Sequence, residues 1–195
     1  MRLPSSAHKG HGWVIEEIAA DFKLLDVWAL PAEGGRDDFP ALLEIMASFD
    51  PAAGGSLASR VLFKARLVAG RWLGWDDATV DRPIPGCTET RLSARLPEHL
   101  AGSAGGTKEA AAFEPVYRTG DEWAAEISNA TVHGVLHVGW VEEGEGRFRG
   151  QLGIYVKARG VAGEVYLKVI EPFRHHVVYP SLMRELGRAW DARTS

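Results

Sequence analysis

The sequence predicts an α+β fold in which an early strand is followed by two helices, then by a block of antiparallel strands, then by a long C-terminal helix. Three patterns predict it. Residues 36 to 73 carry apolar residues at helical spacing between capping and stop signals; two segments within 130 to 158 alternate apolar and polar residues with period two; and the last forty or so residues repeat an apolar residue about every fourth position. A chain of 195 residues with 46% hydrophobic content can bury one sizeable core, so a single domain over 1–195 is expected.

The elements follow in order. Residues 1–12 are polar and read as a flexible leader. Phe22, Leu24, Trp28 and Leu30 then alternate as a strand, which Pro31 and Gly34-Gly35 should end, because proline has no amide to donate and paired glycines favour a turn. Asp37 or Asp38 can cap a helix through FPALLEIMASF, with Pro40 in its first turn, and Asp50-Pro51 stops it. Ser56 caps a second helix in which Leu57, Val61, Leu62, Ala65, Val68 and Trp72 keep the i, i+3, i+4 rhythm. Residues 74–112 weaken into a long irregular connection with one short helix around Glu89 to Leu96. Beyond it, Ala130, Val132, Leu136, Val138 and Trp140 oppose Thr131, His133 and His137, while Phe148, Leu152, Ile154 and Val156 oppose Arg147, Arg149, Gln151, Tyr155 and Lys157. Gly144 and Gly146 can take positive φ in the loop between them, so 130–141 and 147–158 should form a hairpin with one apolar face. The final segment carries Val161, Val165, Val169, Phe173 and Val177, with kinks expected at Pro172 and Pro180.

Several partners are argued against. The formal charge is −4, with Lys and Arg scattered, which is not the basic footprint of a nucleic-acid binder. A single cysteine, Cys87, rules out an intramolecular disulfide and reads as an incidental loop thiol. No stretch reaches the roughly 18 apolar residues of a membrane span, and no signal-peptide core opens the chain, so a cytoplasmic location is expected. No dinucleotide fingerprint is present and no cofactor is expected. A homo-oligomer is compatible with all of this.

His133 and His137 pose the main chemical question. On a helix they would be one turn apart and could share a metal ion; on a strand they are about 13 Å apart at roughly 3.3 Å per residue, too far for two ligands of one ion. The strand pattern therefore predicts no metal at this pair. Two readings stay open: both histidines lie on a solvated or subunit-facing sheet surface, or one is an acid or base lining a pocket, with Gly134 or Gly139 hosting a bulge that turns it inward. Glu126 and Asn129 read as polar groups at a strand end, where asparagine closes an Asx turn, and His175-His176 as helix-surface residues.

Three blocks carry a resemblance: DFKLLDVWALPAEGGRDDFPALLEIMASFDP, TGDEWAAEISNATVHGVLHVGWV and GEVYLKVIEPFRHHVVYPSLMRELGRAW. Together they closely resemble the bacterial family named domain of unknown function 2867, over nearly the whole chain except its middle. The resemblance implies a helix-grip architecture like that of the START and polyketide-cyclase superfamily, with a curved antiparallel sheet around a long C-terminal helix. The implied cavity would lie between Val132, Leu136, Trp140, Phe148, Leu152 and Ile154 on the sheet and Val165, Val169 and Phe173 on the helix. The first functional reading is binding of an apolar or amphipathic small molecule there. A second is a cyclase or lyase using His133, His137, Glu126 and Tyr155 as acid-base groups at that cavity. The third is an interaction module that presents its polar sheet face to a partner.

Overall fold

The computed structural model describes residues 1–48, 82–104 and 113–194. Six antiparallel strands form one curved, open sheet in the order β1-β2-β6-β5-β4-β3. They are β1 (Arg2–Leu3), β2 (Lys23–Gly34), β3 (Glu114–Arg118), β4 (Glu122–Ser128), β5 (Val132–Gly144) and β6 (Arg147–Ala158). The expected hairpin is β5–β6: Leu136 pairs with Ile154 and Val138 with Leu152, and the turn uses Gly144, Glu145 and Gly146, all at positive φ. The helices are α1 (Val14–Ile18), α2 (Phe39–Ser48), α3 (Gly160–Phe173) and α4 (Tyr179–Thr194). The second helix expected from Ser56 onward lies outside the described residues.

Two local expectations change. Strand β2 passes through Pro31 and ends at Gly34, the first of the two expected stop glycines; it tolerates the proline because its register with β6 is irregular between Ala29 and Glu33. The missing proline amide falls where the ladder is already interrupted. Leu92–Arg95 and Glu98–Leu100 are short 3₁₀ turns rather than one helix. Before α2, the Asp38 carboxylate accepts the Gly35 N–H at 2.8 Å, so the expected acid caps the turn by reaching back.

One sheet face carries the residues that alternation marked as apolar. Trp28, Leu30, Trp123, Val138, Trp140, Phe148 and Leu152 pack there under α2 and α4, with Phe39, Leu42, Leu186 and Trp190. Trp140 is enclosed by Phe39, Phe148 and Trp190, and its indole N–H donates to the Gly35 carbonyl at 3.0 Å. This part of the core is filled.

The opposite face is not solvated. Residues 5–22 and 84–96 cover it with Trp13, Ile15, Ile18, Phe22, Ile84 and Leu92, which meet Val135, Ala124 and Tyr155. The leader is thus part of the fold: its 3₁₀ turn Ser5–His8 ends on a fully buried histidine. Two glycines make the cover fit, since a Cβ on Gly153 would overlap the His8 ring and one on Gly139 the Trp13 ring. The surface offered to a protein partner in the sequence reading is therefore an interior.

The C-terminal helix is nearly continuous and is pinned at both ends. Gly163 sits against the Thr131 carbonyl and Ala158; in α4, Tyr179 and Trp190 pack into the helix-side core, and the Trp190 N–H donates to Glu33 O at 3.1 Å. A π-helical segment, Arg174–Val178, joins α3 to α4 between the two prolines. Val165 and Val169 were expected to face the sheet, yet they are exposed by 54% and 71%, and Val161, at the start of the same line, by 80%. A spacing of four residues advances about 40° per step on a helix of 3.6 residues per turn. The valine line therefore winds around α3 and points away from the sheet before Phe173 and Val177 return to partial burial.

Candidate functional site

The acid-base candidates gather on the face covered by the leader, and each histidine takes its own carboxylate. His133 Nε2 is 2.7 Å from Glu126 Oε2, and the same carboxylate accepts the Leu92 N–H at 2.9 Å. His137 Nε2 is 3.0 Å from Glu122 Oε2, a residue the sequence reading did not single out. Glu122 also accepts from Tyr117 Oη at 2.5 Å and from the Val14 N–H at 2.8 Å. His137 Nδ1 lies 2.9 Å from His8 Nε2, and His8 Nδ1 meets the Gln151 side-chain amide. Asn129 closes the expected Asx turn, its Oδ1 accepting from Thr131 N and Val132 N at 2.9 Å each.

Burial sets the protonation of this relay. It depresses His137, against the opposing pull of Glu122, and holds His8 down at about 3, with His137 adding to the effect. Burial alone would raise the Glu122 carboxyl, but the bonds from His137, Tyr117 and Val14 lower it overall; burial and Glu122 together push Tyr117 up. With both imidazoles neutral, the proton order is forced. His137 donates Nε2–H to the carboxylate and His8 donates Nε2–H to His137 Nδ1; Gln151 Oε1 stands at His8 Nδ1, so a neutral His8 requires that amide rotated to present its NH₂. His8, His133 and His137 are completely buried and Tyr155 nearly so. This is an internal polar network closed off from solvent, with His133 Nδ1 left without a partner among the described residues, and it lies on the opposite face from the C-terminal helix.

The relay makes stability depend on pH with a definite sign. His8 titrates near 6.5 when unfolded and near 3 when folded, so between those values the unfolded chain binds the extra proton and stability falls as pH falls. The His8 contribution is on the order of 5 kcal/mol across the window, taking about 1.4 kcal/mol per pH unit. Urea midpoints measured from pH 7 to pH 4 should fall less steeply for His8→Gln than for the wild type; parallel curves would show that His8 is not held neutral.

A second polar centre lies on the helix side of the sheet. Leu24 pairs with Tyr155 and Asp26 with Ile154, so Leu25 is the extra residue of a bulge that turns Asp26 toward the helices. Asp26 Oδ1 accepts from His175 Nε2 at 2.6 Å and Oδ2 from Tyr179 Oη at 2.9 Å. Arg174 and Arg2 stand 3.5 and 3.6 Å from the carboxylate. Burial pushes the Tyr179 hydroxyl up, reinforced by the Asp26 charge. The π-helical segment presents Arg174 and His175 to Asp26, and Tyr179 follows at its end, an arrangement that the reading of His175 as a helix-surface residue missed. The available signal was Asp26 itself, an acid within the apolar run KLLDVWALP.

Beside Asp26 the described residues leave the sheet incompletely covered. One cross-strand row reads Trp28, Leu152, Val138, Trp123, and the next reads Asp26, Ile154, Leu136, Ala125. Val138 and Leu152 are sealed, yet Leu136 and Ile154, one row away on the same central strands, remain half-buried. Phe173 is half-buried as well, and Val132 is buried near the Gly163 pin. Of the expected cavity lining, then, Leu136, Ile154 and Phe173 keep free surface, Trp140, Phe148 and Leu152 are packed into the core, and Val165 and Val169 face outward.

No described helix is long and apolar enough to cross a membrane. A family model described as "Protein of unknown function (DUF2867)" matches residues 18–181. No curated protein and no solved structure matches the chain.

Proposed function

We propose, from the premise that this chain belongs to the DUF2867 family, that it is a helix-grip domain binding an apolar or amphipathic small molecule between the sheet and the C-terminal helix. The observation that carries the reading is the half-covered pair Leu136 and Ile154 on the two central strands, where burial is normally deepest. Ligand sites are mostly apolar with a few placed polar groups. Asp26, Arg174, His175 and Tyr179 supply such groups at the patch edge. A catalytic reading of lyase or cyclase type has one observation in its favour, the bonded set Asp26, His175 and Tyr179. It would use these groups in place of His133, His137, Glu126 and Tyr155, which face the other way.

The test is a thermal-shift series with C10 amphiphiles and fused-ring aromatics on the wild type and on Ile154→Trp, which fills the patch. A ligand at a hundred times its Kd stabilises by about 2.7 kcal/mol, or roughly 5 to 10 °C for a domain of this size. The expected result is such a shift in the wild type and none in the variant. No shift with any compound, or an equal shift in both proteins, defeats the proposal.

A further inference from the structure

We infer that the ligand's polar end is a carboxylate, received by Arg174 and the Trp28 indole beside Asp26. The inference deepens the proposed binding role and rests on it.

Donors outnumber acceptors at this end of the patch. Asp26 accepts from His175 and Tyr179 and stands in ion-pair range of Arg174 and Arg2, so its two oxygens are already occupied. Two buried N–H donors in the same cluster have no partner among the described residues, Arg174 Nε and Trp28 Nε1. Trp28 is 9% exposed and its ring lies 4.8 Å from that of Tyr179 and 6.4 Å from that of His175. A buried donor without an acceptor is costly, and a ligand acceptor relieves that cost. The charges agree: one carboxylate, Asp26, faces two guanidiniums before His175 is counted. Arginine presents a planar fork that matches the two oxygens of a carboxylate. The apolar body of the same molecule would then lie over Ile154 and Leu136, since Ile154 is the cross-strand partner of Asp26 and Leu136 the partner of Ile154.

Decanoate, methyl decanoate and decylamine share one chain and differ in the head group, so titrating each by calorimetry isolates that group. Decanoate should bind at least tenfold more tightly than the ester, and the amine should bind most weakly. Arg174→Gln should erase the preference for decanoate over the ester. Because Arg174 also touches Asp26, Trp28→Phe provides a second reading: it removes the N–H donor while keeping an aromatic, though smaller, side chain, and should lower the preference for decanoate over the ester several-fold. If ester and decanoate bind equally and Ile154→Trp blocks both, the carboxylate inference falls while the binding role stands. If none of the three binds, both fall.

Discussion

Gly153→Val will detach the leader from the sheet and lower unfolding free energy by at least about 3 kcal/mol. A β-carbon at this position overlaps the His8 imidazole, and the ring has no direction of retreat. Its two nitrogens are tied to Gln151 and His137, and Trp13 stands edge-on at 4.8 Å. Expelling His8 uncovers His137 and with it the contacts of Trp13 and Ile15 on that face. Overpacking accounts for about 1 to 3 kcal/mol, and the apolar surface exposed by the leader adds the rest. Urea denaturation gives the magnitude, and limited proteolysis before Trp13 reports whether the leader is free. Combining Gly153→Ala with His8→Gly should recover part of the loss that Gly153→Ala causes alone, because the cavity and the intruding methyl then match. Wild-type stability in Gly153→Val would mean that His8 does not occupy this position.

Glu122→Ala should cost about 3 kcal/mol or more, because it takes the acceptor away from several buried donors at once. The carboxylate is the shared acceptor for Tyr117 Oη, His137 Nε2 and the Val14 N–H. Its removal leaves three buried donors unsatisfied at once, each penalised by roughly 1 to 3 kcal/mol before the structure relaxes. Tyr117→Phe is the contrast: it deletes one donor and leaves Glu122 with two, so it should cost only about 1 kcal/mol. Equal losses in the two variants, measured by chemical denaturation, would show that the network does not converge on Glu122.

The β5–β6 hairpin was legible because period two, the glycine-bearing turn and the strand length all agreed, and the family was legible from long blocks in fixed order. Which side of the sheet met solvent was not. His133, His137, Gln151 and Tyr155 look like a wet surface in any one-dimensional reading, and their burial depends on partners far along the chain. Glu126 and Glu122 satisfy two of them, and His8 together with Gly153 provides the complementary shape. Spacing alone cannot reveal a glycine that is small because a histidine lies on it. The valine line of α3 misled for a different reason: an apolar spacing does not say which way its stripe points, and the valines are exposed from Val161 onward while Gly163, Tyr166 and Ile170 take the covered positions. Asp26 was overlooked because the bulge at Leu25 changes which way it points, and bulges leave little trace in composition.

The clasp of His8 onto the sheet also fixes an order of events during synthesis. His8 is bonded across 129 residues to His137 and across 143 to Gln151, and β2, whose other neighbour is the two-residue β1, pairs along most of its length with β6. At about 5 to 20 residues per second, residue 151 follows residue 8 from the ribosome by about 7 to 29 seconds. Throughout that interval Trp13, Ile15, Ile18 and the apolar positions of β2 have no sheet to cover. A nascent chain of this protein therefore carries its stickiest early segment uncovered for most of its own translation, and it is then, rather than in the finished fold, that a chaperone has the most surface to hold.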